Sequence, residues 1–455
     1  MKIHNQYRGF LCAALVISPL TSFAEDAVFD AISGGKVTGN MRLRYEDVTV
    51  TAPTMLGGKP FSQYDANAIT LRTRLGYETA PYEGLTAFGE FEDTHVIGGY
   101  DAYAPSPGTL NAAGTGYTYA PIVDPEQTEI NQAYFRYRGV PKLDVTAGRQ
   151  RIALDNQRFI GNVGWRQNEQ TYDAFSAGYK GITDWNFYYA YIDRVHGIAN
   201  VKPNFNFSAD TNDNLLNVAY SGFVLGKITA YGYFLKNEES ATALTNVAPN
   251  VNALNPGLRY KANDTLGVRF DGNYALPTTL PLRALYTAEY AKQTFTNATD
   301  VEFETDYKFV EGGMGLVTKI GVLSAKLAME VMGADSTGSK AAFQTPYATK
   351  HAFNGWDDMF LVTPTSGLQR TFATLGGDLQ PYGVKVMISY NQFTKDVGDG
   401  DYGTELDAQV LKSYGSKYTL GIKYAAYTAD KAVLTIGPNP NMDTSKYWVF
   451  GELAF

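Results

Sequence analysis

The sequence predicts an all-β fold, a transmembrane antiparallel β-barrel. Three observations point to it: an export leader, apolar and polar residues alternating with period two, and a rhythm of short and long connections.

The leader comes first. Lys2 and Arg8 precede an apolar stretch from Phe10 to Leu20, and Ser22-Phe23-Ala24 supplies small residues around a cleavage point before Glu25. The apolar stretch falls short of the about 20 residues that a helix needs to cross a bilayer. Residues 1–24 are therefore read as a signal peptide and 25–455 as one barrel domain. The only cysteine, Cys12, lies inside the leader, which excludes disulfides, thiol catalysis and cysteine metal sites from the remainder. Without Lys2 and Arg8 there remain 36 basic residues against 46 acidic, a net charge of about −10 and the wrong sign for a general nucleic-acid binder. After residue 24 there is no long apolar run, yet the chain carries 33 tyrosines and 45 glycines. That composition fits barrel strands, whose alternating faces average out as mildly apolar.

The alternation starts with Val37, Met41, Leu43 and Tyr45 against Thr38, Asn40, Arg42, Arg44 and Glu46. It continues with Ile69, Leu71, Leu75 and Tyr77 against Thr70, Arg72 and Arg74, and with Phe135 and Tyr137 against Arg136 and Arg138. Leu323, Ala325, Leu327, Met329 and Val331 oppose Ser324, Lys326 and Glu330, and Leu420, Ile422 and Tyr424 run beside Lys423. A soluble sandwich also alternates, but these segments reach about ten residues and often end in an aromatic, as lipid-facing strands do.

The connections decide between the two. Short ones fall near 79–84, 139–142, 180–184, 221–226, 275–281, 319–321, 378–382 and 413–417. Long ones fall at 47–64, 94–126, 151–170, 193–213, 236–264, 292–305, 332–366, 394–403 and 428–445. Strict alternation gives eighteen strands, sixteen being the alternative count, with short periplasmic turns and long extracellular loops. Tyr447, Val449, Leu453 and Phe455 share one face of the last segment, and the terminal aromatic Phe455 is the expected recognition point for the barrel-assembly machinery.

With apolar residues facing lipid, the other parity places Arg42, Arg44, Arg72, Arg74, Arg136 and Arg138 in the lumen, with Glu90 and Glu92 available as partners. Two readings stand. The arginines form a path for anions, or they brace the wall through ion pairs. The segment from Gly148 to Asp173 is dense in Arg, Gln and Asn, with Arg149, Arg151, Arg158 and Arg166 joining Asp173 as further candidate pore-lining residues on a loop suited to folding inward. Arg149 itself is on the lipid-facing parity, so a bulge near Gly148 or a position above the membrane is expected. The Gly- and Pro-rich loop 94–126 is a candidate lid or plug.

The runs Gly148-Arg149-Gln150, Arg158-Phe159-Ile160-Gly161, Trp165-Arg166-Gln167-Asn168 and Gln170-Thr171-Tyr172-Asp173-Ala174 resemble the alginate-export family of outer-membrane porins. So do Gln132-Ala133-Tyr134-Phe135-Arg136-Tyr137, Gly403-Thr404-Glu405-Leu406-Asp407 and Tyr424-Ala425-Ala426-Tyr427. The resemblance implies an eighteen-stranded monomeric barrel with a basic lumen that passes an anionic polyuronate.

The expectation is a passive porin in a Gram-negative outer membrane, embedded in its lipid, for an anionic saccharide or small organic anion. Small carboxylates and neutral sugars are the alternative solutes. An enzyme is not expected: beyond the leader only His95, His196 and His351 occur, all in or beside loops, with no recognisable nucleophile pattern. A barrel hydrolase is the distant alternative. No metal, cofactor or nucleic-acid partner is expected.

Overall fold

The computed structural model describes residues 22–51, 55–56, 59–60, 65–105, 119–199, 208–237, 260–297, 300–335, 340–430 and 442–455. The first 21 residues of the leader lie outside these. A helix, Ser22–Ser33, spans its expected end. The helix docks on the first short turn, where the Ala80 N–H donates to the Ala31 carbonyl (2.9 Å).

Eighteen barrel strands follow, numbered here in chain order, apart from a small separate hairpin of Met55–Leu56 with Lys59–Pro60. They are β1 (Lys36–Thr51), β2 (Ala66–Glu78), β3 (Leu85–Ala102), β4 (Gln127–Tyr137), β5 (Leu143–Gln150), β6 (Thr171–Tyr179), β7 (Trp185–His196), β8 (Ala209–Phe223) and β9 (Gly226–Lys236). They continue with β10 (Tyr260–Ala275), β11 (Leu282–Asn297), β12 (Glu302–Thr318), β13 (Gly321–Met332), β14 (Leu368–Leu379), β15 (Val384–Thr394), β16 (Asp401–Tyr414), β17 (Tyr418–Ala429) and β18 (Asp443–Ala454). Each pairs antiparallel with its chain neighbours, and β1 pairs with β18, so the sheet is closed and has no edge. The last residue completes the seam: Phe455 and Gly39 exchange backbone hydrogen bonds of 2.8 and 2.9 Å. A Cβ at Gly39 would meet the tip of the Phe455 ring, so glycine lets that ring lie across the seam.

The predicted parity holds around the wall. Leu43, Leu75, Phe135, Leu327 and Ile422 are exposed on the outside, while Arg72, Glu92, Thr229 and Asn391 are buried inside. The connections also follow the expected rhythm, with two corrections. The strands around 292–305 leave only residues 298–301 between Asn297 and Glu302, and those around 394–403 leave only 395–400. The candidate lid 94–126 changes likewise, because β3 runs on to Ala102 and residues 106–118 lie outside the description.

The apolar core sits inside the barrel. It is built on aromatic rings from the wall, among them Tyr231, Tyr233, Tyr307, Phe393 and Tyr427, packed around two loops that fold inward. These are the third long loop (151–170) and the seventh (333–367).

Candidate functional site

Apolar tips anchor both loops. Phe159 of the third loop packs on Tyr231 (5.3 Å between centroids), Tyr307 (5.2 Å) and Phe343 (5.8 Å). Phe360 of the seventh packs on Phe393 (4.6 Å) and Tyr402 (5.4 Å). Burying one such ring contributes about 1.5–3 kcal/mol. The loops also bind each other: the Gly161 N–H donates to the Tyr347 carbonyl (2.8 Å), and Thr349 Oγ1 to Gln157 Oε1 (2.9 Å).

Ion pairs then fix the loops to opposite walls. Arg158 is fully buried, and its Nε donates to Glu330 on β13 at 2.6 Å, the same carboxylate that accepts the Tyr307 hydroxyl (2.7 Å). Burial alone would lower the Arg158 pKa, but Glu330 more than offsets that, so the guanidinium stays charged. Arg166 reaches Glu46 on β1 (3.0 Å) and Asp358 of the seventh loop (3.2 Å). On the far side Glu405 of β16 accepts the backbone N–H groups of Trp356 and Asp357. Just before them Gly355 has φ +88°, and a Cβ there would lie 2.5 Å from a Glu405 oxygen, so the loop can close on this carboxylate only with glycine.

Where the loops meet, three of the four tryptophans gather. Lys423 Nζ lies 4.0 Å from the Trp356 centroid, 5.1 Å from Trp448 and 5.3 Å from Trp165, and donates to His351 Nε2 (2.6 Å). His351 stacks on Trp165 and its Nδ1 faces Asp358 (2.9 Å). Asp358 also takes Lys446 of β18 (2.9 Å). Burial would raise the Asp358 pKa, but Lys446, His351 and Arg166 hold it well below the usual carboxylate range.

Burial first, and Lys423 second, hold His351 well below its ordinary value of 6.5, so it is neutral in the closed arrangement. In an opened loop it would protonate near 6.5. Closure is therefore fully favoured above that pH and loses ground as the pH falls below it. Conductance at pH 5 is expected to exceed that at pH 7, with the difference reduced in His351→Gln. Equal acid responses of the two proteins would count against this latch.

The alginate-export family pattern matches residues 65–316, more than half of the chain. The chain belongs to this family. No curated protein matches the sequence. Among solved structures this alginate-export barrel is similar to Pseudomonas aeruginosa OccK9 (OpdG), at 10% identity and a TM-score of 0.61, over 93% of this chain and 100% of that one. It is also similar to Acinetobacter baumannii OccAB1, at 12% identity and a TM-score of 0.62, over 93% and 97%. A third is P. aeruginosa OpdK, an outer-membrane protein, at 11% identity and a TM-score of 0.58, over 92% and 99%. At such identities the likeness is one of fold.

In this family member the predicted arginines do not share one role. Arg42, Arg44, Arg72 and Arg74 face the lumen, and each has a carboxylate within 4.0 Å. Arg44 pairs with Asp124 and Glu46, and Arg74 with Glu92 and Glu169. Arg42 holds Glu452 (2.9 Å) and the carbonyls of Gly164 and Trp165 (3.1 Å each). Arg72 bonds Asn40 and lies 3.7 Å from the same Glu452. Glu90 ties the third loop to the wall through Arg151 (2.6 Å). Arg136 and Arg138 share Asp144 at the turn end of the barrel, Arg138 being exposed.

Arg149 and Asp173 are corrections. Their register partners are Ala133 and each other, on the face that exposes Phe135 and Phe175, so both point out of the barrel and form a 2.8 Å ion pair at its outer end. Gly148 has φ +122°, yet the β4–β5 pairing runs without a register shift, so position near the outer rim, and not a bulge, accounts for the polar residue. His351, expected in a solvated loop, is buried in the latch.

The whole seventh-loop arrangement escaped the sequence reading. Its local signal is the aromatic and acidic run from His351 to Phe360, and its anchor Glu405 lies in a motif already singled out at residues 403–407.

Proposed function

We propose that this chain forms an outer-membrane pore whose lumen favours anionic solutes. The observation that carries the reading is the pair Arg42 and Arg72. They are directly opposed across the β1–β2 ladder and share one described carboxylate, Glu452, which is itself a quarter exposed. Like charges facing each other across a ladder repel, so this stretch of wall carries positive charge in excess of its one shared carboxylate, with Arg42 the more exposed of the two. The other lumen arginines are matched by acids and serve to hold the loops. The family match and the porin-like fold support an outer-membrane location and a transport role in place of catalysis.

The decisive experiment is a planar-bilayer reversal potential in a KCl gradient, with and without added oligouronate. Anion selectivity that falls in Arg42→Gln/Arg72→Gln supports the reading, while cation selectivity indifferent to these changes overturns it. A narrower solute range, small anions in place of a polymer, is favoured by one observation. The inward loops contact β1, β9, β12, β13, β16 and β18, so an extended chain could pass only after they move.

A further inference from the structure

Beneath the two loops, on the side of the lumen formed by β10–β16, lies a cavity of about 300 Å³. Its walls include Arg370, Phe372, Phe353, Lys326, Thr374 and Ser389. Ligand pockets begin at about this size, on the order of 300 Å³.

Seven arginines are buried among the described residues: Arg44, Arg72, Arg74, Arg158, Arg166, Arg269 and Arg370. Six have a carboxylate within 4.0 Å. Arg370 has none among the described residues. Asn391 Oδ1 accepts from its Nε (3.0 Å) and one terminal nitrogen (2.7 Å), and the Phe353 carbonyl accepts from the other. Of the five N–H groups of a guanidinium, two therefore stay unused, one on each terminal nitrogen, and are available to an incoming carboxylate. The Arg370 guanidinium carbon lies over the Phe372 ring, 3.8 Å from its centroid, and Phe372 in turn stacks on Phe309.

The neighbouring charges limit what can enter. Lys326 is matched by Glu311 (2.9 Å), Arg269 by Glu289 (2.8 Å) and Glu330 by Arg158, leaving Arg370 as the unmatched cation. Asp407 also lines the cavity and accepts from Asn391 at 2.9 Å, so it sits one residue away from the Arg370 guanidinium. One negative charge is accommodated and a second would meet Glu311, Glu330 and Asp407. The aromatic faces suit a ring, and the hydroxyls of Thr374 and Ser389 suit its polar substituents.

We propose that this cavity is a binding subsite for a single-ring monocarboxylate, its carboxylate on Arg370 and its ring against Phe372 and Phe353. The proposal deepens the reading of the chain as an anion pore and rests on it for its physiological meaning. A hydroxylated sugar acid and an aromatic acid share this chemistry, and the experiment separates them.

Calorimetric titration of the folded protein in detergent would use sodium D-glucuronate, sodium benzoate and neutral glucose. At least one carboxylate should bind, glucose should not match it, and Arg370→Gln should weaken binding about tenfold or more through loss of the charged donors. Phe372→Leu, which keeps the guanidinium, should weaken it too, and preference for glucuronate or benzoate names the source. Equal affinity in Arg370→Gln, or no binding of either carboxylate by the unaltered protein, overturns the subsite. Because titration does not depend on conduction, a pore that proves cation-selective would fail the pore reading alone. An anion-selective pore without Arg370-dependent binding would fail this one alone.

Discussion

Arg158→Met is expected to free the third loop while leaving the barrel intact. The change keeps an unbranched apolar stem and removes the guanidinium, which lies over the Phe353 ring at 5.2 Å. It removes the only described cation that pairs with Glu330, leaving that buried carboxylate with the Tyr307 hydroxyl alone. Stranding one partner of a buried pair costs about 3–5 kcal/mol, whereas removing both costs far less. The loop then carries the penalty, because the barrel wall is fixed by its ladders and the loop can leave. Limited proteolysis within residues 151–170 should accelerate by roughly a hundredfold or more. Arg158→Met/Glu330→Gln should recover much of the protection, and the heat-modified mobility of the barrel should be unchanged in both. If the double variant is cleaved as fast as the single one, the ion pair is not what holds the loop.

The wall was legible in the sequence because its information is local. Period-two alternation depends on neighbouring residues, and short turns announce themselves through Gly and Pro, so strand number, lumen parity and closure could all be read from residues 36–454. Legibility failed where the strands leave the membrane: Lys292, Gln293 and Thr294 have no apolar signal, yet they continue β11 almost to β12. The inward turn of the third loop could be read from its density of Arg, Gln and Asn. Its partners could not. Arg158 meets Glu330 and Arg166 meets Asp358 across separations of 172 and 192 residues, and no local pattern encodes such pairs. The same limit hid the role of most lumen arginines. Parity placed Arg44 and Arg74 inside, but only the fold shows that Asp124 and Glu169, both from long loops, neutralise them. Arg370 was passed over for the converse reason, since a single arginine in a strand does not announce that its neighbours include no counter-charge.

Excising the seventh loop is expected to give the largest functional effect. Met332 and Leu368 are directly opposed in the β13–β14 register, so a four-residue Gly/Asn turn can join them without disturbing the ladder. The deletion removes Phe360 from its aromatic seat, His351 and Asp358 from the tryptophan cluster, and the Tyr347 carbonyl that receives Gly161. The third loop loses its partner as well. An eighteen-stranded wall encloses an aqueous channel when nothing fills it, so the single-channel step in KCl should rise several-fold above that of the intact protein. Selectivity should persist, because Arg42, Arg72 and Glu452 all belong to the wall. The intact protein should also approach this conductance when Glu405→Ala withdraws the acceptor for the N–H groups of Trp356 and Asp357. An unchanged step size after excision would mean that the conducting path already bypasses the seventh loop, and that this loop braces the barrel without gating it.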